Sequence, residues 1–146
     1  MFAWAFADTN VYRGYIKPGP VIVDGTFALG SLRVTPLPVF HGTVETNGYL
    51  LERAGMRSVA YIPDVKKIPE ATMELLGRAD ILILDALHER SHPTHMNVRE
   101  ALQVIEKLPL SAAYLTHCSH EIDHATLEKQ LPKPVLVAYD TLTLAL

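Results

Sequence analysis

The residues of this chain that could bind a metal or move a proton stand where apolar runs of sequence stop. His41 follows "TPLPVF", Asp64 follows "VAYIP" and His117 follows "AAYLT". Strand ends present functional side chains in α/β sheets, because the sheet fixes the backbone while the loop leaves the side chain free. Two imidazoles and a carboxylate suit a divalent metal such as zinc, manganese or iron(II). Taken alone, the spacing leaves open that these are hydrogen-bonded residues without a metal.

The segment "DALHERSHPTHMN" adds three more histidines after an apolar run, and all seven histidines of the chain lie between residues 41 and 124. Pro93 restrains the backbone, and His95 stands just before a predicted helix start, so we expect His95 to face a cleft. Loop histidines are usually solvent-facing, and we expect this of His88 and His92. Among the three, His95 is therefore the candidate functional residue.

A second crowded segment, "THCSHEIDH", surrounds the single cysteine with histidines and acids. Asp123 precedes "HATLEKQL" and is predicted to be a helix N-cap. We do not expect Cys118 and His117 to form a nucleophilic pair, because adjacent residues at a strand end tend to point to opposite faces. His124 falls in the first turn of the predicted helix and has no expected role.

Composition is that of an ordinary globular domain, with 49% hydrophobic and 20% charged residues and a net charge of −3. Lys and Arg are scattered rather than gathered into a stripe, so we expect no nucleic-acid partner. No apolar stretch has the length of a membrane helix, so we expect no membrane partner either. A single cysteine excludes an internal disulfide and favours a cytoplasmic location.

The elements that must position these residues change in type at Asp64. Before it, "VIVDGTFALG" predicts two short strands about an Asp24–Gly25 turn, and "NGYLLERAGMRSVAYIPD" predicts a hairpin at Ala54–Gly55. The prolines of "SLRVTPLPVF" indicate an edge position or a strand end. Residues 1–20 show no clear period and predict an irregular N-terminal arm before one domain over residues 21–146.

After Asp64, predicted helices alternate with predicted buried strands. The helices are "IPEATMELLG", "NVREALQVIEKL" with Asn97 as N-cap, and "DHATLEKQL". The strands are "ADILILDAL", "SAAYLTH" and one or two strands within "PVLVAYDTLTLAL". The predicted fold class is α/β, with antiparallel hairpins followed by strand–helix alternation.

Four motifs in this order carry a family resemblance: "PLPVFHG", "AYIPDV", "LILDALHERSHPTHMNVREAL" and "AYLTHCSHEIDH". Together they resemble the later motifs of the metallo-β-lactamase superfamily, most closely its branch of cyclic-phosphate phosphodiesterase-like hydrolases. The resemblance covers roughly residues 20–146. It implies half of an αββα sandwich and, for the full site, two divalent metal ions, zinc or manganese.

The resemblance also assigns roles residue by residue. His41 matches the histidine that completes the shell of one metal, and His117 matches the one that completes the other. Asp64 matches the catalytic carboxylate that bridges the two metals. His95 matches the residue that faces the substrate phosphate and serves as catalytic proton donor. His120 matches a position on the substrate side.

The chain departs from the family pattern in lacking the HxHxDH motif, since its first histidine is His41. It therefore resembles only the C-terminal half of the domain, and each metal would keep about two protein ligands, which leaves full, partial or no occupancy open. The implied function is hydrolysis of small or cyclic phosphodiesters by two-metal activation of water, impaired in this chain alone.

A different class of function stays open. A half-domain would leave an apolar sheet face uncovered, and such a face favours a homo-oligomer or pairing with a partner chain, including a missing N-terminal half. The alternative is therefore a non-catalytic half-domain that acts by self-association or through a partner. A histidine-rich metal carrier is less well supported, because the histidines do not form a tract.

Overall fold

The computed structural model describes residues 21–146, and the predicted N-terminal arm over residues 1–20 lies outside the described residues. Within this part, seven strands form one sheet in chain order. The strands are β1 Phe27–Leu29, β2 Leu32–His41, β3 Val44–Glu52, β4 Val59–Ile62, β5 Ile81–Asp85, β6 Ala112–Thr116 and β7 Val135–Val137. The helices are α1 Glu70–Leu76, α2 Val98–Ile105 and α3 His124–Gln130. The predicted α/β class is confirmed.

The sheet has an antiparallel part and a parallel part, as predicted. Neighbouring strands from β1 to β4 pair antiparallel, and those from β4 to β7 pair parallel. Each parallel connection contains one helix. Because β2 runs in the same direction as β4, the carboxyl ends of β2, β4, β5 and β6 all lie at one edge of the sheet. This edge is where side chains from distant parts of the sequence can meet.

The first predicted hairpin is wrong in its position. The strand expected before Asp24–Gly25 does not form, since residues 21–26 are exposed and outside any strand, whereas the strand expected after it is β1. The turn instead lies at Gly30 and Ser31, because Leu29 pairs with Leu32 and Gly30 adopts the positive φ of 60° that a two-residue hairpin loop needs. The second predicted hairpin is confirmed, since β3 and β4 pair antiparallel around Gly55 at a φ of 77°.

The helix starts follow the predicted caps. The side chain of Asn97 accepts a hydrogen bond from the Glu100 amide, and the Glu100 side chain accepts one from the Asn97 amide, which completes a capping box at α2. Asp123 accepts from the Thr126 amide at the start of α3. The closing segment contains one strand, β7, followed by irregular chain.

One face of the sheet buries the core and carries all three helices. Strand residues and helix residues join one buried cluster that includes Leu37, Leu50, Leu82, Leu84, Leu115, Leu76, Ala101, Ile105 and Leu127. We expect this burial to supply most of the folding free energy, because each such side chain contributes about 1.5–3 kcal/mol when removed from water. The longest helix has eight residues, so no helix in residues 21–146 has the length and apolar character needed to cross a membrane.

The opposite face carries a row of large side chains at matching register positions: Tyr49, Tyr61, Ile83, Tyr114 and Leu136. We call this row the tyrosine face. Within residues 21–146, Tyr49 remains 41% exposed, and Tyr61 and Leu136 remain 42% exposed. Counting only residues 21–146, one sheet face is covered and the other is open, as expected for half of a sandwich.

Candidate metal centre

Five side chains from five separate segments meet at the carboxyl edge of the sheet. His41 ends β2, Asp64 follows β4, Asp85 ends β5, and His117 follows β6. His95 reaches the same place from the loop before α2. We call these five residues the histidine–aspartate cluster. Strand direction alone brings four of them together. The ends of the apolar runs predict this placement for three of the four, His41, Asp64 and His117.

Main-chain hydrogen bonds hold the segment after Asp64 against the other strand ends. The Phe40 amide donates to the Lys67 carbonyl at 2.9 Å, and the amides of Lys66 and Lys67 donate back to the Phe40 carbonyl at 2.7 and 3.0 Å. The Met96 amide donates to the Val65 carbonyl at 2.7 Å. These bonds fix the backbone beside His41, Asp64 and His95 relative to one another.

The two imidazoles of His41 and His95 face each other through their Nε2 atoms, which are 3.0 Å apart. On the other side of the ring, Nδ1 of His95 lies 2.8 Å from Oδ2 of Asp85. A carboxylate only accepts, so this bond places the proton of neutral His95 on Nδ1 and leaves the Nε2 lone pair pointing at the position between the rings.

Asp64 and His117 complete the arrangement. Oδ1 of Asp64 lies 3.5 Å from Nε2 of His117 and 4.0 Å from Nδ1 of His95. The rings of His95 and His117 stack with centroids 4.9 Å apart. His117 has a φ of 61°, an uncommon conformation for a residue other than glycine, and such backbone outliers occur often at functional sites.

Asp85 is fully buried, and only part of its carboxylate is satisfied. Oδ2 accepts from the Val65 amide at 3.0 Å as well as from His95. Oδ1 has no hydrogen-bond partner within the described residues. Burial raises the pKa of Asp85, and the bonds from Val65 and His95 only partly oppose this effect. The carboxylate is therefore kept in a costly environment beside His95.

The loop before α2 is packed tightly onto the turn after His41. Gly42 has a φ of 66°, and a Cβ atom there would lie 2.9 Å from Cγ2 of Thr94. Glycine thus allows the close approach that brings the rings of His41 and His95 together.

The expectation that His88 faces solvent is wrong, because its side chain is 5% exposed. Its Nδ1 atom has no hydrogen-bond partner within the described residues. His92 is half-buried, and its Nδ1 lies 3.3 Å from the Thr94 amide. Desolvation and the neighbouring imidazoles of His95 and His88 lower the pKa of His92. The loop is thus packed against the domain rather than extended into solvent.

The remaining predicted groups lie outside the cluster. His120 is exposed in the segment between β6 and α3, and within residues 21–146 its side chain makes no hydrogen bond or ion pair to the cluster. Cys118 packs against the hydrophobic core, and burial raises the pKa of its thiol. A partly buried, protonated thiol is a poor nucleophile, which agrees with the expectation that it does not pair with His117.

The donor set fits a divalent metal. Ligand atoms of His41, Asp64 and His95 all lie within 4.8 Å of one another. Two zinc-bound imidazole nitrogens in tetrahedral geometry lie about 3.3 Å apart, close to the 3.0 Å seen between His41 and His95. Two nitrogens and a carboxylate oxygen are the mixed set that zinc accepts. His117 stands beside Asp64 as a further nitrogen donor.

The sequence profile described as "Beta-lactamase superfamily domain" matches residues 5–118, which is more than half of the chain. The chain belongs to the β-lactamase superfamily. The sheet with its antiparallel and parallel parts is consistent with this assignment.

Solved structures with the β-lactamase superfamily fold superpose on most of the chain. A new diphosphatase from the PhnP family is 37% identical, with a TM-score of 0.79, over 86% of this chain and 47% of that one. Zn²⁺-bound PqqB from Methylobacterium extorquens is 21% identical, with a TM-score of 0.65, over 86% and 55%. A curated protein, the octanoyltransferase of Porphyromonas gingivalis, is 29% identical over 91% of this chain and 27% of its own length. The chain thus spans about half of the diphosphatase and about a quarter of the curated relative.

Two features of the site were not predicted from the sequence: the contact of Asp85 with His95 and the burial of His88. Asp85 was not singled out, although it ends the apolar run "ILILD" and the same strand-end argument that selects Asp64 would have selected it. Burial of His88 had no signal in the sequence, because it depends on how the loop folds back onto α2, where the Val98 amide donates to the His88 carbonyl.

Proposed function

We propose that this chain carries part of the active site of a metal-dependent hydrolase that cleaves small or cyclic phosphodiesters. The observation that supports this most directly is the meeting of His41, Asp64 and His95 at one strand edge, with ligand atoms within 4.8 Å, in a member of the β-lactamase superfamily. The similarity to a PhnP-family diphosphatase supports a substrate with a phosphorus–oxygen bond.

In this proposal His41, Asp64 and His117 hold divalent metal. A zinc or manganese ion, or two bridged by Asp64, would act as a Lewis acid and lower the pKa of water. Asp64 is half-exposed, with 51% of its side chain accessible, so its carboxylate can turn toward either His41 or His117. Without the HxHxDH motif, the chain alone offers few ligands, and we expect weak binding and low activity.

His95 is the proposed proton carrier. In this role His95 leaves the metal to His41, Asp64 and His117. Because Asp85 accepts from Nδ1, Nε2 would take a proton from an incoming group and return it to a departing oxygen. An aspartate behind a histidine orients the ring and stabilises its protonated form, as in other carboxylate–histidine pairs. The His95 side chain is 12% exposed, which keeps bulk water from competing for this proton.

Metal binding is the first test of this proposal. The chain is stripped with a chelator and titrated with Zn²⁺ or Mn²⁺ by calorimetry, beside His41→Ala, Asp64→Asn and His124→Asn. We expect the first two variants to lose binding and His124→Asn, which changes a histidine outside the cluster, to keep it. Equal binding by all four proteins would place the metal elsewhere and overturn the assignment.

The activity test uses bis(4-nitrophenyl) phosphate, a 2′,3′-cyclic nucleotide and a diphosphate ester with the metal-loaded chain. We expect slow release of product from the phosphodiesters. We expect His95→Gln to lower this rate by a larger factor than it lowers metal affinity. Loss of metal binding in His95→Gln to the same extent as in His41→Ala would make His95 a ligand instead of the proton carrier.

The tyrosine face favours a second candidate function, association with another chain. Tyr49, Tyr61 and Leu136 present an apolar surface that lies open within residues 21–146. Sedimentation velocity of the wild-type chain, Tyr61→Glu and Tyr139→Glu tests this candidate. We expect a self-associating wild type that Tyr61→Glu dissociates, whereas Tyr139→Glu, outside the tyrosine face, does not. A wild type that is monomeric at all concentrations contradicts self-association.

A further inference from the structure

The two loops that carry Asp64 and His95 are joined by an ion pair outside the histidine–aspartate cluster. Lys66 lies two residues after Asp64, and its Nζ donates to both carboxylate oxygens of Glu100 at 2.8 and 2.9 Å. Glu100 belongs to the first turn of α2, whose N-cap Asn97 lies two residues after His95. The ion pair therefore spans the two segments close to the residues they present.

Glu100 is held from two sides, which fixes its position. Its Oε2 accepts from the Asn97 amide at 2.9 Å, and the Asn97 side chain accepts from the Glu100 amide at 2.8 Å. Burial tends to raise the pKa of Glu100, but the bonds from Lys66 and Asn97 outweigh it and hold this pKa below its ordinary value. The carboxylate is thus ionised at neutral pH and shared between the helix cap and Lys66.

The ion pair acts beside a main-chain link between the same segments. The Met96 amide donates to the Val65 carbonyl at 2.7 Å. Met96 directly follows His95, and Val65 lies between Asp64 and Lys66. Two links a residue or more apart resist twisting of one loop against the other, whereas a single hydrogen bond allows it. The side chains of Lys66 and Glu100 are 24% and 35% exposed, so solvent screens the pair only in part.

We propose that Lys66 is a positioning residue that, through Glu100, holds the Asp64 loop and the His95 loop at a fixed spacing. Lys66 is not among the residues proposed to hold metal or face substrate, and it acts by keeping Asp64 and His95 at the distance that a shared ligand or reacting group requires. The inference rests on the proposed function for its consequence at the metal site, but the coupling between the loops is a property of the metal-free chain.

The metal-free chain is tested first, by amide hydrogen exchange. The variants are Lys66→Met and Glu100→Gln, which remove the charge pair, and Lys66→Arg, which keeps it. Arg33→Met is the matched control, because Arg33 pairs with Glu52 at 2.9 Å at the opposite end of β2. We expect the Met96 amide to exchange about threefold to fivefold faster in the first two variants, with the core amides of β5 unchanged, and wild-type rates in Lys66→Arg and Arg33→Met.

The metal affinity is measured next, by competition with a chelator. We expect Lys66→Met to weaken Zn²⁺ binding about fivefold and Lys66→Arg to restore it. Wild-type Met96 exchange in Lys66→Met, or an equal change in Arg33→Met, overturns the positioning role whatever the metal result. A wild-type chain that binds no metal overturns the proposed function instead, and amide exchange alone then decides whether Lys66 couples the loops.

Discussion

Strand β5 has an aspartate at each end, and the structure treats the two carboxylates in opposite ways. Asp80, just before the strand, is exposed, and its Oδ2 accepts from the amide and the hydroxyl of Ser58, each at 2.7 Å. The Asp80 amide donates back to the Ser58 hydroxyl at 3.0 Å. The bonds from Ser58 hold the pKa of Asp80 below its ordinary value. This end of the sheet favours the charged form.

Asp85, at the other end, is fully buried with Oδ1 unpartnered within the described residues, and its pKa is raised by burial. A buried carboxylate that accepts too few hydrogen bonds destabilises the fold. Its bond to His95 orients the imidazole that the proposed chemistry needs. The hydrogen bonds at the Asp80 end stabilise the fold, whereas burial of Asp85 lowers stability and places a carboxylate against the proposed proton carrier.

The largest expected effect comes from Asp85→Asn. The amide keeps the shape of the side chain but is a weaker acceptor for Nδ1 of His95, so we expect phosphodiester turnover to fall about 10- to 100-fold. The free energy of unfolding at pH 7 should stay the same or rise, because a buried charge is removed. Phosphodiester assays of the metal-loaded chain and urea denaturation measure the two quantities separately.

Asp80→Asn is the matched control for this prediction, since it makes the same chemical change at the other end of β5. We expect it to lower stability and leave phosphodiester turnover unchanged. If both variants lower only the free energy of unfolding, Asp85 serves the fold in the same way as Asp80, and the proposed difference between the two ends of β5 is wrong.

Ser58→Ala tests the stable end directly. Ser58 is 8% exposed, and its hydroxyl bonds to Asp80 and to the Arg78 carbonyl at 2.8 Å. Removing it deletes the hydroxyl's hydrogen bonds to Asp80 and Arg78, so we expect the free energy of unfolding in urea to fall by about 0.5–1.5 kcal/mol. Zn²⁺ affinity should not change. A weakened metal site in Ser58→Ala would mean that strain at one end of β5 reaches the other.

The strand ends could be predicted from the sequence, because short apolar runs bounded by polar residues determine both where the parallel strands stop and which side chains stand there. His41, Asp64 and His117 were selected in this way and lie at one edge of the sheet. The N-caps Asn97 and Asp123 could be predicted equally well, since capping depends on residues within one turn of the helix.

The rest depends on contacts between distant segments. Asp24–Gly25 and Gly30–Ser31 both resemble hairpin turns locally, and only pairing of Leu29 with Leu32 selects the second. Likewise, the partner of His95 is Asp85 because the loop returns over the strand end, with the Leu87 amide bonded to the Met96 carbonyl. The spacing of residues along the chain does not show that the loop folds back in this way, so the contact between His95 and Asp85 could not be predicted from the sequence.

The turns at the two ends of β2 differ in the same way as the two ends of β5, and each turn contains a glycine. Gly30 and Gly42 both adopt a positive φ, 60° and 66°, but a Cβ atom would meet nothing at Gly30 and would press on Thr94 at Gly42. Alanine at either position should cost about 1–2 kcal/mol of stability from backbone strain. Only Gly42→Ala should also displace the His95 loop and weaken Zn²⁺ binding. Equal Zn²⁺ affinity in the two variants would show that the loop yields without moving His95.

The smallest expected effect is a difference in pH dependence between Asp80→Asn and Asp85→Asn in the metal-free chain. The folded-state pKa of Asp80 is lowered, so its stabilising contribution is present above the unfolded value of about 3.9 and is lost as the pH falls through the folded pKa. The folded-state pKa of Asp85 is raised, so its contribution is present below about 3.9 and is lost as the pH rises through the folded pKa.

Urea midpoints between pH 3 and pH 7, with a chelator present, measure this difference. Relative to wild type, Asp80→Asn should lose stability as the pH rises, whereas Asp85→Asn should gain it over the same interval. The two difference curves therefore slope in opposite directions although the substitutions are chemically identical. Curves of the same slope would mean that Asp85 finds enough compensation from the Val65 amide and His95 to remain charged at no cost, and the reactive end of β5 would then be as well satisfied as the stable one.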